Sequence, residues 1–330
     1  MSDPMYRIGD SRISGHGLIA LSNIQANTVI LEEAPLLHIN TERASENFDL
    51  DAFLADETGQ QSTIIQSGMH ALNRSNRAAW DHFRNLQSGF RTRARTSVQD
   101  IGRVRRNAFS YDFQGQKWIT AYHAICKANH SCRPHAVVDI AASGDNRGSA
   151  RLIATTFIPA DTEILIEYVV DDFFLRPTAQ RQAELQPQYD FQCACLDCTN
   201  PAVSDPIRAR MEGYAKDLKF PGLAWDRATE TNQFLRAEGL TWQDLLDTAK
   251  AYISDLEKFG MIDPRLYGVY AWCARFYYDR GANEHAHRYS SQALGVIAQF
   301  FEGADTEGMG NIFAKTSASS MISRYRFNSM

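Results

Sequence analysis

Three of the six cysteines in this chain fall within six residues, as Cys193-x-Cys195-x-x-Cys198. Thiolates at that spacing let one loop wrap a single soft ion, and zinc favours tetrahedral sulfur ligation. The loop itself lacks a fourth ligand. His130 and Cys132, in Lys127-Ala128-Asn129-His130-Ser131-Cys132, are both able to supply it, and either would tie that segment to the 191–198 loop. Six cysteines in 330 residues are too few for a secreted disulfide framework. Cys126 and Cys273 have no such neighbours and read as buried apolar residues.

A second chemical feature is charge. Between residues 71 and 106 there are nine arginines (74, 77, 84, 91, 93, 95, 103, 105 and 106) against only Asp81 and Asp100. Such a stripe meets phosphate or acidic protein surface in some proteins. In others it is a solvated helix face, balanced here by Glu42, Glu46, Asp49, Asp51, Asp56 and Glu57. The sequence leaves both readings open.

The elements that must position these residues are legible in outline. Gly17-Leu18-Ile19-Ala20 and Thr28-Val29-Ile30-Leu31 read as strands, punctuated by Ser14-Gly15, Asn27 and Pro35. From 41 to 106 proline vanishes, and Phe48, Phe53, Ile64, Ile65, Met69, Leu72, Trp80, Phe83 and Leu86 fall at helical spacings, which predicts a helical insert. Strands resume at Trp118-Ile119, Ala136-Val137-Val138, Arg151-Leu152-Ile153 and Ile164-Leu165-Ile166, with a turn at Ser143-Gly144-Asp145-Asn146. Beyond the proline-bracketed stretch 201–206 the pattern is helical to the end. There Tyr267, Tyr270, Ala274, Tyr277, Gly281, Ala286, Tyr289 and Ala293 suggest a helix pair of tetratricopeptide type, either plain hairpin packing or one wall of a concave binding surface. The expected organisation is α+β: a β-fold at 1–175 with its insert at 41–106, a zinc segment at 176–200 and an all-α region at 201–330.

Composition bounds the function. The chain is 44% hydrophobic and 22% charged with a net charge of -5, which excludes wholesale disorder and argues against general nucleic-acid affinity. No apolar run approaches the ~18 residues of a spanning helix, and MSDPMYRIGD lacks a basic cluster followed by an apolar stretch. A soluble, cytoplasmic or nuclear monomer with no membrane role is the expectation.

Asn129-His130-Ser131-Cys132-Arg133-Pro134, then Asp161-Thr162-Glu163-Ile164-Leu165-Ile166-Glu167-Tyr168, then Tyr189-Asp190-Phe191-Gln192-Cys193-Ala194-Cys195, resembles the SET-domain methyltransferases in letters, order and distance. Arg12-Ile13-Ser14-Gly15-His16-Gly17-Leu18-Ile19-Ala20 resembles the family's opening glycine motif, and Asn107-Ala108-Phe109 the strand start preceding the asparagine-histidine motif. The resemblance covers about residues 6 to 200. Its nearest group is SMYD-like, with a CxCxxC post-SET loop and a helical C-terminal domain. That group's MYND finger cannot be built here, because the first cysteine is Cys126.

The resemblance implies an S-adenosyl-L-methionine-dependent N-methyltransferase acting on lysine side chains of a protein. Gly15, His16 and Gly17 would admit the cofactor to the backbone, Asn107 and Asn129 would hold its amino-acid end, His130 would meet its adenine region and Phe191 would stack on the ring. Tyr168 would orient the amine, with Tyr189 as the second wall of the channel. Cys132 would be the fourth ligand of a structural zinc with Cys193, Cys195 and Cys198. The chain departs from the pattern at His135, where the family has asparagine beside the cofactor, and at Ser14, where related proteins carry a basic residue. Two other readings accompany this one: a small-molecule amine as substrate, and a non-catalytic module that binds a partner through its helical tail.

Overall fold

The computed structural model describes residues 4–40, 69, 72, 76–86, 96–113, 116–141, 147–169, 171–222, 235, 236, 238–260 and 264–300. Two compact units divide the chain. One comprises Met1–Ser131, His135–Tyr168 and Ala179–Ala194, and the other Cys132–Pro134, Val169–Thr178 and Cys195–Met330.

The first unit contains three small sheets. In one, β1 (Tyr6–Asp10) and β2 (His16–Ala20) form an antiparallel hairpin, β10 (Glu163–Ile166) pairs antiparallel with β2, and β7 (Asn129–His130) pairs parallel with β10. The second sheet has the order β3 (Val29–Glu33), β9 (Ala150–Ala154), β8 (Ala136–Ile140). The third has the order β4 (Leu37–Asn40), β6 (Gln116–Ala121), β5 (Phe109–Phe113). Leu18, Ala20, Ile30, Leu152, Ile164 and Ile166 meet in the main core. These are the β-branched and aliphatic positions of the apolar runs, and they bury completely because strands of four or five residues offer few other anchors.

The insert expected at 41–106 is helical where it is described. Helix α1 (Arg77–Arg84) is capped by Asn76, whose side chain accepts from Ala79 N, and α2 (Thr96–Asn107) follows. Trp80 and Phe83 of α1 and Ile101 and Val104 of α2 pack on Leu37, Ile39 and Ile119 of the third sheet. Phe48, Phe53, Ile64 and Ile65, the acidic stretch 42–57, Arg74, Arg91, Arg93 and Arg95, and the turn at 143–146 lie outside the described residues. Part of the basic stripe turns inward: Arg103 is buried, with Nη1 donating to Asp100 Oδ1 at 2.7 Å and Nε to the Arg84 carbonyl.

After α3 (Thr178–Tyr189) and the one-turn α4 (Leu196–Thr199), the second unit is carried by α5 (Pro201–Gly222), α6 (Trp242–Lys258), α7 (Pro264–Tyr278) and α8 (Asn283–Phe300). The proline-bracketed stretch 201–206 is itself helical, since Pro201 opens α5 where no amide hydrogen bond is lost. Helix α6 begins with a capping box of Thr241 and Asp244. The tyrosine- and alanine-patterned pair is a helical hairpin, with Gly281 at φ 71° in its turn and Tyr277 stacked on Tyr289 at 5.7 Å between centroids.

One acidic side chain sets the entry to β7. Both Glu33 oxygens accept from successive backbone amides, His123 N, Ala124 N and Ile125 N, at 2.8 to 3.1 Å. They cap the short 3-10 turn Ile125–Lys127 that delivers the chain to Asn129. Glu33→Ala is expected to lower unfolding free energy by about 2–3 kcal/mol in urea melts, and Glu33→Gln by less, because one carbonyl acceptor survives.

Candidate active site and cysteine cluster

Strand pairing brings the site motifs together. The parallel register Leu165↔Asn129 and Ile166↔His130 sets Asn129-His130 beside β10, and Tyr168 follows two residues after that strand ends. Tyr168 N donates to His130 Nδ1 at 3.1 Å, so the proton of neutral His130 sits on Nε2. Tyr168 Oη donates to the Ala128 carbonyl at 2.9 Å. Ring and hydroxyl are thereby both fixed by the segment 128–130.

The glycine turn leans on the same strands. Asn129 Nδ2 donates to Glu163 Oε1 at 2.7 Å and to the carbonyls of Ser14 at 3.1 Å and His16 at 3.2 Å. Glu163 Oε2 accepts from Ser11 Oγ at 2.9 Å, and Ser11 Oγ in turn accepts from the amides of Ile13 and Ser14. Gly15 takes φ 53°, in the left-handed region. A Cβ on Gly17 would collide with the Glu163 carboxylate and come within 3.2 Å of Asn129 Nδ2. Gly17 is therefore glycine because the Glu163 side chain occupies the space beside its Cα.

Four rings gather next to this scaffold. Tyr168 lies 5.3 Å from His130, 5.0 Å from Tyr189 and, edge-on, 6.3 Å from Phe191, while His130 and Phe191 are 5.9 Å apart. Tyr189 Oη donates to the Tyr168 carbonyl at 3.3 Å. Tyr189 and Phe191 reach the same cluster because Asp190 between them adopts φ 60°, a conformation that aspartate tolerates better than bulkier residues. Arg106 of α2 holds this bend, with Nη1 donating to the Tyr189 carbonyl at 2.8 Å and Nη2 3.8 Å from Asp190 Oδ2. Burial pushes the Tyr189 phenol up to about 12 and holds Tyr168 well above its ordinary value, aided by Tyr189, Cys126 and Glu163.

The Sγ atoms of Cys132, Cys193, Cys195 and Cys198 all lie within 4.8 Å of one another, with Cys132 and Cys198 at 3.5 Å. Cys132 is thus the fourth member, and His130 is engaged with Tyr168. Gln182 of α3 pins Cys193, donating from Nε2 to its carbonyl at 2.7 Å and accepting from its amide at 2.8 Å. Cys273 is buried as expected, whereas Cys126 is only partly buried, accepting from Tyr122 N and donating to the Asn107 carbonyl, and desolvation pushes both thiols up to about 12.

Other expected residues take different places. Asn107, read as a strand start, ends α2 with its Nδ2 donating to the Arg103 carbonyl, and β5 begins only at Phe109. The exposed His16 pairs with Asp10 at 3.3 Å. His135 Nδ1 donates to the Glu163 carbonyl at 3.2 Å, so the histidine that departs from the family pattern binds the strand that carries Glu163. Ser11, Glu163, Glu33 and Arg106 escaped the sequence reading. Glu163 stood inside a quoted motif and Arg106 inside the basic stripe, and only pairing partners distant in sequence reveal their roles.

The SET domain family model matches residues 15–169. Over that stretch the chain is similar to a SET domain, and the structure has the matching α+β arrangement of short sheets, with a four-cysteine cluster whose last three members follow the stretch and a helical C-terminal part. SET domain-containing protein L678 of Acanthamoeba polyphaga mimivirus is 26% identical over 211 residues, which cover 57% of this chain and 78% of that protein. Among solved structures, Rubisco LSMT bound to AdoMet is 17% identical, covering 66% of this chain and 60% of that one at a TM-score of 0.36. The SET domain of LSMT bound to lysine and AdoHcy is 12% identical, covering 99% and 84% at 0.33.

Two measurements check the geometry. Gly17→Ala is expected to cost about 1–3 kcal/mol of stability, and less when combined with Glu163→Ala, which removes the group that the new methyl would strike. The buried phenols keep their protons in the folded chain at pH values where the unfolded chain, near 10, loses them. Stability is therefore full below pH 10 and falls from there towards about 12, and phenolate absorbance in the folded protein should show Tyr189 un-ionised through that window.

Proposed function

We propose that this chain is an S-adenosylmethionine-dependent N-methyltransferase whose acceptor is a lysine side chain of a protein. The observation that carries the reading is the gathering of His130, Tyr168, Tyr189 and Phe191 beside the Gly15–Gly17 turn. S-adenosylmethionine, when bound, supplies an electrophilic methyl that passes to a neutral nitrogen lone pair while the carbon–sulfur bonding pair stays on sulfur.

The residues suit that ligand. The turn at Gly15, His16 and Gly17 offers backbone groups, Phe191 and His130 offer ring faces, and Asn107 lies at the end of α2. Asn129 fits with one adjustment: both its amide hydrogens are used within the protein, so its Oδ1 would accept from the ligand's ammonium. The aromatic walls favour the neutral form of an incoming amine by withholding water from the ammonium. Tyr168 positions that amine. Its own proton is given to Ala128, so its oxygen lone pairs remain to accept an amine hydrogen and aim the nitrogen lone pair away from it. With its phenol held protonated, Tyr168 orients and does not abstract, and the amine sheds its proton to water before transfer.

The cysteine cluster would hold one zinc ion. Tetrahedral ligation at about 2.3 Å places sulfurs about 3.8 Å apart, compatible with the observed grouping, and four thiolates leave no open position for a reacting water. Its role is structural.

Calorimetric titration with S-adenosylmethionine, paired with labelled methyl transfer to proteins of a cell extract, tests the reading. Tyr168→Phe should leave cofactor affinity within about threefold and cut turnover by about 100-fold, roughly 2.7 kcal/mol of barrier. A wild-type chain that binds no cofactor would refute the assignment, and unchanged turnover in the variant would remove Tyr168 from the mechanism.

A further inference from the structure

We infer that Arg208 is the positioning residue of the four-cysteine site, and that metal binding there is linked to the folding of helix α5. The inference rests on the zinc reading above and goes beyond it to a residue outside both cysteine segments.

Arg208 is buried, with 1% of its side chain exposed, and Asp197 beside it is 5% exposed. Both terminal nitrogens of its guanidinium are engaged. Nη2 donates to the Cys132 carbonyl at 3.0 Å and to the Asp197 carboxylate, and Nη1 donates to the Phe174 carbonyl. Cys132 and Asp197 belong to the two ligand-bearing segments, because Asp197 sits between Cys195 and Cys198. One planar fork therefore joins the isolated ligand to the CxCxxC loop from a helix that contributes no ligand.

The surrounding contacts extend the link. Ser204 of α5 donates its hydroxyl to the Asp197 carbonyl at 2.8 Å. Arg133, adjacent to Cys132, lies 3.8 Å from Asp197 Oδ1 and donates to the Lys258 carbonyl at 2.8 Å. Both guanidiniums lie over the Phe259 ring, at 5.0 Å for Arg133 and 5.4 Å for Arg208. Charge completes the argument. Four thiolates around a divalent ion carry two net negative charges and Asp197 adds a third, so Arg208 and Arg133 offset a centre that would otherwise be buried anion upon anion. Partners that orient ligands in this way are worth about 10–100-fold in metal affinity.

The test measures zinc content and zinc release to a chromogenic chelator from the full chain, with circular dichroism as the control for folding. The wild type should hold about one zinc, and Asp197→Asn, Arg208→Met and Arg208→Lys should each release it about tenfold faster or more, lysine failing because it keeps the charge and loses the fork. Should Arg208→Met not fold, the near-isosteric Asp197→Asn and the charge-preserving lysine variant decide the matter. Folded variants that release zinc at the wild-type rate would overturn the role of Arg208 while leaving the zinc reading intact. A wild-type chain that neither contains nor takes up zinc would overturn both. As the reciprocal readout, chelation should abolish hydrogen-exchange protection in 201–222 before it affects 264–300, and unchanged protection of α5 would refute the linkage.

Discussion

The amide of Asn129 is the interaction on which the site depends. Two hydrogens on one nitrogen serve three acceptors, the Ser14 and His16 carbonyls and the Glu163 carboxylate, and each acceptor lies on a different part of the site's frame. The turn that opens β2, the strand β10 and the two-residue strand β7 are thereby locked at one point. The pairing of β7 with β10 alone is too short to fix a register, since it involves only two residue pairs. A side-chain hydrogen bond to a carboxylate supplies the missing specification, and it does so where partners more than thirty residues apart must meet. Gly17 follows from this arrangement as a steric consequence, because the carboxylate that Asn129 holds fills the place of a side chain.

The aromatic wall is organised on a different principle. Its residues come from three places, 130, 168 and 189–191, and nothing in ring packing alone dictates that Tyr189 and Phe191 should turn to the same side. A residue in between with positive φ does so, at an energetic cost that needs outside support. Arg106 provides it from the last turn of α2, by binding the Tyr189 carbonyl and approaching the Asp190 carboxylate. The described end of the insert is therefore wired to the wall of the candidate site, which gives the basic stripe a local use at that position distinct from either a solvated face or a phosphate surface.

Much of this was legible in the sequence, and the reason is local. Strands such as Gly17–Ala20 and Ile164–Ile166 announce themselves by consecutive aliphatic residues bounded by turns, and the helical hairpin at 264–300 by its spacing. The cysteine loop is a short-range pattern whose chemistry is specific, and its fourth member required only a choice between His130 and Cys132. What escaped was whatever depends on a distant partner. Asn107 looked like a strand residue because Ala108-Phe109 follows it, yet the hydrogen bond from its amide to the Arg103 carbonyl keeps it within the helix. The prolines at 201 and 206 suggested a boundary because proline usually punctuates, yet Pro201 opens the helix where its missing amide costs nothing. Glu33 carried no signal and Glu163 only its place in a motif, since a glutamate near a strand end is ordinary until three amides or an asparagine are found against it.

The residues 128–133 show how densely such constraints can be packed. Ala128 gives its carbonyl to Tyr168, Asn129 its amide to the glycine turn, His130 its Nδ1 to the Tyr168 backbone, and Cys132 its sulfur to the cysteine cluster. The backbone cannot satisfy these demands from a regular strand or helix, because they point in too many directions. It satisfies them by leaving a 3-10 turn, running two residues as strand and bending again at Cys132 and Arg133. That irregularity is costly without compensation, and the compensation lies at its start, where the Glu33 carboxylate binds the three successive amides of the incoming turn. A site assembled in this way trades regular secondary structure for anchored polar groups, so its geometry is held by a few buried hydrogen bonds and not by the number of residues in its sheets.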